Sequence, residues 1–484
     1  MQASVAASNS GARGTAKDRK RTWVRALDSL CFWAIIGGLA FAPFWFGGNL
    51  PLAWGIHAIW FAGVTVAYEI GRLAAARRRP IALRKIWIPV ACVVVTAIWA
   101  AMQITPGMPG AYQHPVWQMA SEALGRPVVG AISINPDETA IALLKLTTAA
   151  CLFWTTMQLC RDSNRARNLI AAIAAIGALY ALYGVIAFFA FPKTILWYPK
   201  IFYNDSVTST FINRNSYATY AGIGLIAAIA MASQHFMSKD REGGRAVKRR
   251  IASLVAAASG GGGAWLAAAF IIGIALILTI SRGGISATLG GVIALAAMVS
   301  LRGRKNAAGA GFGVLAALAI LGVAVFTFGD AFSDRLATQG FASDDRLAVY
   351  RLGLLSISDA PLFGFGWGTF QQVLPMYRDS SLGPFGVWDL AHNTYIELFQ
   401  GLGVPAAALF VLGIAVLFLR CARAALTRGH SAIAPLVATS ATFIVFLHAF
   451  VDFSLQMQAV TLTWTALLAA GVAQSWGGRE RTDR

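Results

Sequence analysis

The stretch "ILTISRGGISATLGG", residues 277–291, interrupts an apolar run that covers residues 264–301. One straight helix over a run of roughly 37 residues would be about 55 Å long, whereas the hydrocarbon core of a bilayer is ~30 Å thick. The run is therefore predicted to form two membrane spans joined by a turn at SRGG. Gly283 and Gly284 are expected to permit the turn, and Ser281 is expected to cap the second helix.

The composition of the whole chain agrees with this interpretation. The chain has 484 residues, of which 57% are hydrophobic and 13% are charged, and its mean hydropathy is +0.61. A soluble chain would be about one quarter charged. Apolar segments near the ~20 residues that cross a bilayer recur from end to end, so the sequence predicts an all-α, polytopic membrane protein with about twelve transmembrane helices. The predicted spans are residues 30–49, 51–70, 86–104, 139–160, 168–190, 216–234, 264–280, 285–301, 308–329, 403–420, 432–450 and 459–476.

The basic residues predict the orientation of these spans. With residues 1–27 as a cytoplasmic tail, the segments predicted to lie inside hold 30 of the 40 Lys and Arg residues, counting the whole tail. This distribution follows the positive-inside rule. The net charge of +19 is therefore a topology signal, and no nucleic-acid partner is expected. Residues 28–476 are predicted to form the membrane domain, and residues 477–484 a second cytoplasmic tail.

Unusual polar residues collect in the segments predicted to lie outside. They are Asn213, Arg214 and Asn215 in INRNS, Arg282 in SRGG, Arg346 and Arg351 in DDRLAVYR, His392 and Asn393 in AHN, and the pair His448 and Asp452. Each also has a structural explanation: an arginine could anchor at the interface or form an exposed salt bridge, and a histidine could be interfacial. The last pair, four residues apart, would share a helix face and form a structural hydrogen bond.

The longest outside segment, residues 330–392, is predicted to be partly helical. A helix is expected to begin at Ser343-Asp344-Asp345. The later FGFGWGTF has G-x-G-x-G spacing, but no strand–turn–helix surrounds it, so we interpret it as a turn-rich loop and not as a dinucleotide site.

The outside arginines and histidine together suit an anionic substrate and a deprotonation. Arginine binds phosphate oxygens bidentately and stays charged, so it could stabilise a diphosphate leaving group. Histidine titrates near neutral pH and can act as a general base toward a hydroxyl. No DxD run is present. The pattern predicts a metal-independent reaction with no cofactor, at the outer ends of the helices.

These residues carry a family resemblance. STFINRNSYATYAGIG, TISRGG, DDRLAVYRLGLLSISDAPLFGFGWGTFQQVLPMY, AHNTYIELFQGLG and HAFVDFSLQ follow one another between about residues 205 and 460, in an order that resembles the O-antigen ligase and O-antigen polymerase (Wzy-C-like) superfamily. The resemblance implies a glycosyltransferase of the bacterial inner membrane. It would move an undecaprenyl-diphosphate-linked glycan to a hydroxyl of lipid A core or of a growing glycan, on the periplasmic side.

The resemblance also implies roles for individual residues. Arg214 and Arg282 would hold the diphosphate, and His392 would activate the acceptor. Arg346, Arg351 and the neighbouring Asn213, Asn215 and Asn393 would bind diphosphate or glycan in a secondary way. Membrane lipid and a chain-length regulator are expected partners.

One departure leaves the reaction subtype open. The ligase pattern that begins at His392 and Asn393 continues correctly to Gly403, but its last position is Ala406 instead of Gly, Thr or Tyr. Ligase, polymerase and protein O-oligosaccharyltransferase therefore remain alternatives. A lipid-linked glycan flippase is a further alternative, although the predicted spans are nearly free of charge, with Lys145 as the main exception.

Overall fold

A computed structural model describes residues 2–240, 261–301, 344–382, 387–428 and 433–476. These residues form fifteen α-helices and a short hairpin with strands β1 (Thr194–Ile195) and β2 (Tyr198–Pro199). The helices are α1 (Gln2–Phe41), α2 (Pro51–Ala74), α3 (Trp87–Gln103), α4 (Val116–Leu124), α5 (Pro136–Leu159), α6 (Ser163–Ala190), α7 (Arg214–Asp240), α8 (Gly261–Leu278), α9 (Arg282–Leu301), α10 (Asp344–Asp359), α11 (Phe370–Tyr377), α12 (Thr394–Leu402), α13 (Val404–Thr427), α14 (Ile433–Ala449) and α15 (Gln458–Ala473).

The protein is an all-α, polytopic membrane protein. In the described part of the chain, nine helices are long and apolar enough to cross a membrane, and α14 and α15 are shorter apolar helices. These eleven helices correspond to eleven of the twelve predicted spans. The remaining predicted span, residues 308–329, lies outside the described residues.

The first span ends earlier than predicted. α1 ends at Phe41, and residues 42–48 form turns instead of extending the helix to residue 49. Pro43 lacks the N–H that a helix interior needs. The hydropathy pattern did not predict the end of α1 at Phe41, because the aromatic residues that follow count as apolar whether they cross the bilayer or lie in a loop.

Helix α7 lies at the centre of the bundle. Its apolar window is 94% buried, whereas the windows of the other candidate spans are 22–44% buried. It packs against α6, α8, α9 and α14. Small residues allow the close approach, since a Cβ added to Gly224 would lie 3.4 Å from the Cα of Gly177 on α6. The NRN motif therefore stands at the start of the most enclosed helix.

The segments predicted to lie outside meet at one end of the bundle, called the site end below. The segment between α1 and α2 is joined to the start of α15 by the Ala459 N–H, which donates to the Gly47 carbonyl at 3.1 Å. The segment between α4 and α5 is joined to the segment between α10 and α11 by the Ile134 N–H, which donates to the Phe365 carbonyl at 2.9 Å. The FGFGWGTF loop, to which Phe365 belongs, is turn-rich as predicted, and its glycines at 364, 366 and 368 all have positive φ.

The SRGG stretch forms a turn between two helices, but the turn lies earlier than predicted. Ile280 makes it in the left-handed region, with φ of +50°, which is strained for a β-branched residue. Ser281 accepts the Gly284 N–H at 3.2 Å, which confirms the predicted cap. Gly283 and Gly284 belong to α9 and do not make the turn. Gly284 instead lets α7 approach, because a Cβ there would lie 2.4 Å from the Cβ of Ala218.

Candidate functional site

The polar residues of the site end converge on Asp452, in the loop between α14 and α15. Its Oδ2 accepts a hydrogen bond from Asn215 Nδ2 at 2.9 Å, and its Oδ1 accepts one from Ser454 Oγ at 3.0 Å. Its carbonyl accepts one from Thr394 Oγ1 at 3.1 Å. His392 Nδ1 lies 3.5 Å from Oδ2. One fully buried carboxylate thus joins α7, α12 and the last loop of the site end.

Asn215 also ties the first turn of α7 to the first turn of α9. Its Oδ1 accepts a hydrogen bond from Ser281 Oγ at 2.8 Å. Asn213 caps α7, since its Oδ1 accepts the Asn215 N–H at 2.7 Å. Arg214 and Arg282 are the first residues of these two helices and are both partly exposed. Two helix N termini, each with an arginine, therefore lie side by side, and helix N termini favour anions.

An apolar surface lies beside Arg214. The guanidinium lies over the ring of Tyr203, with Cζ 5.1 Å from the ring centroid. Tyr203 ends a segment whose large side chains are exposed: Trp197 at 63%, Ile201 at 77% and Phe202 at 63%. A cationic group beside exposed apolar side chains suits a ligand with a phosphate head and a hydrocarbon tail.

His392 lies at the edge of the buried cluster. Its side chain is 19% exposed, and its ring packs edge-on against Phe453, with centroids 4.7 Å apart, and against Trp388, at 5.8 Å. Because Nδ1 faces Asp452, Nε2 is the ring nitrogen left for a substrate. At 3.5 Å the contact with the carboxylate is electrostatic more than a well-formed hydrogen bond.

The backbone of His392 is strained and is fixed from both sides. Its φ of +53° lies in the left-handed region, which costs a non-glycine residue about 1 kcal/mol or more. Tyr350 OH donates to the His392 carbonyl at 2.9 Å. Asn393 caps α12, with its Oδ1 accepting the N–H groups of Tyr395 at 3.0 Å and Ile396 at 3.1 Å. Such strain persists only where the surroundings enforce it, and here they orient a candidate base.

A second buried carboxylate, that of Glu397, lies directly behind the histidine. Its Oε1 accepts the Ala391 N–H at 2.7 Å, and its Oε2 accepts a hydrogen bond from Gln456 Nε2. Burial raises the pKa of Glu397 to about 7, although both hydrogen bonds lower it, and the charge of Asp452 raises it further. Glu397 therefore anchors the segment that leads into His392, and it titrates near neutral pH.

The pKa of Asp452 is shifted in the opposite direction to that of Glu397. Burial raises its pKa, but the neighbouring His392 and the charges of His448 and Arg346 outweigh burial and hold the pKa at about 2. The carboxylate is ionised near neutral pH as a result. An ionised Asp452 stabilises a proton on His392 Nδ1, which is the tautomer that leaves Nε2 basic.

His448 is buried beside the same loop. Its Nδ1 lies 2.5 Å from Thr219 Oγ1 and 3.2 Å from Ser454 Oγ. The predicted helix face shared with Asp452 is wrong, because α14 ends at Ala449 and Asp452 lies three residues beyond it. The two side chains are joined through the Ser454 hydroxyl, which bonds to both.

The two arginines of α10 lie in different surroundings. The helix begins at Asp344, in agreement with the predicted start at 343–345, of which residue 343 lies outside the described residues. Arg346 donates to the Val451 carbonyl at 3.3 Å, next to Asp452. Arg351 forms an exposed ion pair with Asp379. The structure brings Arg346 into the cluster and does not bring Arg351 into contact with it.

Several residues that complete the cluster were not predicted as site residues. They are Asp452, Ser454, Thr219, Ser281, Tyr350 and Glu397. The HAFVDFSLQ motif contains two of them, so an acid in an otherwise apolar outer loop was the available signal. Within the described residues, no group of three His, Cys, Asp or Glu side chains is close enough to hold a metal ion.

The comparisons with known proteins agree with the ordered motifs. Residues 267–411 match the family model Wzy_C, which is described as O-Antigen ligase. The matched stretch contains Arg282, Arg346, Arg351 and His392, whereas Arg214 and Asp452 lie outside it. No curated protein matches the chain. The match confirms the family resemblance predicted from the sequence.

Proposed function

We propose that this protein, whose residues 267–411 match the O-antigen ligase (Wzy_C) family model, transfers a glycan from a polyprenyl diphosphate to an acceptor hydroxyl. The donor is an undecaprenyl-diphosphate-linked oligo- or polysaccharide, and the acceptor is a hydroxyl of lipid A core or of a growing glycan. The reaction takes place at the site end, on the periplasmic side of the bacterial inner membrane, with both tails in the cytoplasm. It requires neither a metal nor a cofactor.

One observation carries the proposal: a single hydrogen-bonded network joins the helix starts that bear Arg214 and Arg282 to the carboxylate that faces His392. The links are Ser281 to Asn215 at 2.8 Å and Asn215 to Asp452 at 2.9 Å. Anion-binding groups and a base are therefore held in one frame, as a group transfer requires. The exposed apolar side chains at 197–202 fit the hydrocarbon part of a lipid-linked donor.

Each of these residues has a defined step in the transfer. His392 Nε2 accepts the proton of the acceptor hydroxyl while the acceptor oxygen attacks the anomeric carbon of the donor. The bond between that carbon and the diphosphate oxygen breaks, and the oxygen leaves with the electron pair. Arg214 and Arg282 stabilise the charge that develops on the diphosphate. Asp452 stabilises the imidazolium that forms, and attack from the face opposite the leaving group inverts the anomeric centre.

The proposal is tested with purified protein, an undecaprenyl-diphosphate-linked glycan and an acceptor, in buffer that contains EDTA. We expect the wild-type protein to form product. We expect the His392→Ala protein to react at least about 10²-fold more slowly, because a general base usually contributes that factor. His114→Ala is the matched control, because His114 is half-buried in another segment of the site end and contacts none of the cluster. Full activity of His392→Ala would overturn the role of His392.

The arginines are tested in the same reaction. We expect Arg214→Ala and Arg282→Ala to lose use of the diphosphate-linked donor. Arg126 is an exposed arginine between α4 and α5, and we expect Arg126→Ala to keep use of the donor. If liposomes with the wild-type protein move lipid-linked glycan across the bilayer without forming a glycosidic bond, the protein is a flippase and the transferase proposal is wrong. A deletion strain separates the acceptors, since it loses ligated polymer, the polymer ladder or protein glycosylation.

A further inference from the structure

A group of cations surrounds one aromatic ring at the end of the bundle opposite the site end. Helix α15 starts beside the site loop and ends at Ala473, so Trp476 lies at that opposite end. Arg420 of α13 lies over its ring, with Cζ 4.0 Å from the centroid. Lys85, just before α3, lies over the same ring, with Nζ 5.5 Å from the centroid. Two positive charges from different parts of the chain thus share one indole.

Two more cations lie beside this pair. Arg428 donates to the carbonyl of Gln474, two residues before Trp476. The Gln474 side chain in turn donates to the Arg161 carbonyl at 3.0 Å. Burial and the nearby charge of Arg161 lower the pKa of Arg428, as expected for like charges at close range. The ends of α5, α13 and α15 and the start of α3 therefore bring four positive charges together.

The described residues supply no counter-charge to this group. The ion pairs recorded among them involve other basic residues, at 72, 79, 165, 351 and 392. The Nε of Arg420 is buried and has no hydrogen-bond acceptor among the described atoms. A buried guanidinium N–H without an acceptor is costly, so the arrangement calls for an anionic group from outside the described chain.

The surroundings of the cations indicate a lipid as the source of that anion. Arg420 is the last residue of the membrane span predicted over residues 403–420, and α13 continues for seven more residues, about 10 Å, to Thr427. Next to it Leu419 is 61% exposed, and beyond Lys85 Trp87 is 63% exposed. Helices α3 and α13 pack together, since a Cβ on Gly413 would lie 2.9 Å from the Cβ of Cys92, and so their exposed apolar side chains border one surface.

We propose that the cations around Trp476 bind the phosphate group of an anionic phospholipid, whose acyl chains lie against the exposed side chains of α3 and α13. The indole fixes the direction of Arg420 and Lys85, and Arg428 and Arg161 add charge from the helix ends. Basic pockets between membrane helices at the cytoplasmic face are suited to phospholipid headgroups. The site is independent of glycan transfer and lies at the other end of the molecule.

The test measures the affinity of purified, detergent-solubilised protein for phosphatidylglycerol, by the rise of its thermal unfolding midpoint with lipid concentration. Phosphatidylcholine and inorganic phosphate are the comparison ligands. We expect phosphatidylglycerol to raise the midpoint and the other two to leave it unchanged. Arg420→Gln is expected to weaken binding of the lipid about fivefold, since in this proposal Arg420 contacts the phosphate and one basic residue at an anionic lipid contributes about that factor.

Lys85→Gln is a second test of the same site, for the case that Arg420→Gln does not fold. Lys85 is exposed, so its replacement is expected to leave the fold intact. Arg423→Gln is the matched control, an exposed arginine one turn from Arg420 on the same helix, and it should bind lipid as the wild type does. An unchanged affinity in Lys85→Gln and in a folded Arg420→Gln would overturn the proposal. An equal response to inorganic phosphate would overturn the lipid as the source, and an equal response to phosphatidylcholine would overturn the need for an anion.

Discussion

Replacing Glu397 with glutamine isolates the titration of one buried carboxyl. Because its pKa is raised from 4.5 to about 7 in the folded protein, the folded state binds the proton more tightly than the unfolded state does. Its contribution to stability is therefore fully present below pH 4.5 and is lost as the pH rises through 7. Between pH 5 and pH 8 the loss amounts to about 2.5 kcal/mol for these two pKa values. Glutamine keeps an oxygen for the Ala391 N–H and carries no charge.

The measurement is the free energy of unfolding in detergent micelles at pH 5 and at pH 8, for the wild type and for Glu397→Gln. We expect the variant to gain about 2.5 kcal/mol relative to the wild type when the pH is raised from 5 to 8, by the same linkage relation. Glu122→Gln, which changes an exposed carboxyl of α4, should follow the wild type at both pH values. A difference between Glu397→Gln and the wild type that is the same at pH 5 and pH 8 would refute the raised pKa.

Three further changes probe the network and the packing around it. Asp452→Asn removes a carboxylate with a pKa of about 2. The stabilisation from this carboxylate is present above pH 3.8 and is lost as the pH falls through 2. At pH 7 we therefore expect the variant to be less stable by about 2 kcal/mol in a denaturant titration, and to transfer glycan more slowly. Asn215→Ala leaves the Asp452 oxygen short of a donor and should cost about 1–3 kcal/mol in the same titration, with a larger loss of kcat than of donor affinity. Gly284→Ala places a Cβ 2.4 Å from Ala218 Cβ and should destabilise by about 1–3 kcal/mol, whereas Gly55→Ala, with no atom within 4 Å of the new Cβ, should not lower the thermal midpoint.

The membrane helices could be predicted because hydropathy and length are local properties. The spans on either side of SRGG follow from a run too long for one crossing, and the structure divides that run at Ile280. The choice of turn residue could not be predicted in the same way. Glycine is the usual residue at positive φ. Here Gly284 is needed where α7 packs closely against α9, and Ile280 adopts the positive φ of the turn instead.

The site could be predicted in part for the same reason. Arg214, Arg282 and His392 stand out because charged groups are rare in this chain and the ordered motifs contain them. The hydrogen bond between Asn215 and Asp452 joins residues 237 positions apart, and no local pattern records such a pairing. Glu397 was missed because it lies inside an apolar stretch, where only the fold shows that it faces Ala391 and Gln456.

The position of Asp452 has a consequence for the biogenesis of the protein. Chains acquire structure from the N terminus onward during synthesis, so α7 and α9 enter the membrane with their arginines before the α14–α15 pair exists. The Asp452 carboxylate, which joins both helix starts to His392, lies in the loop between α14 and α15 and is therefore synthesised only with that last pair. A nascent chain therefore holds Arg214 and Arg282 without a completed network, and under the proposed function we expect activity to arise in a single late step of insertion instead of accumulating helix by helix.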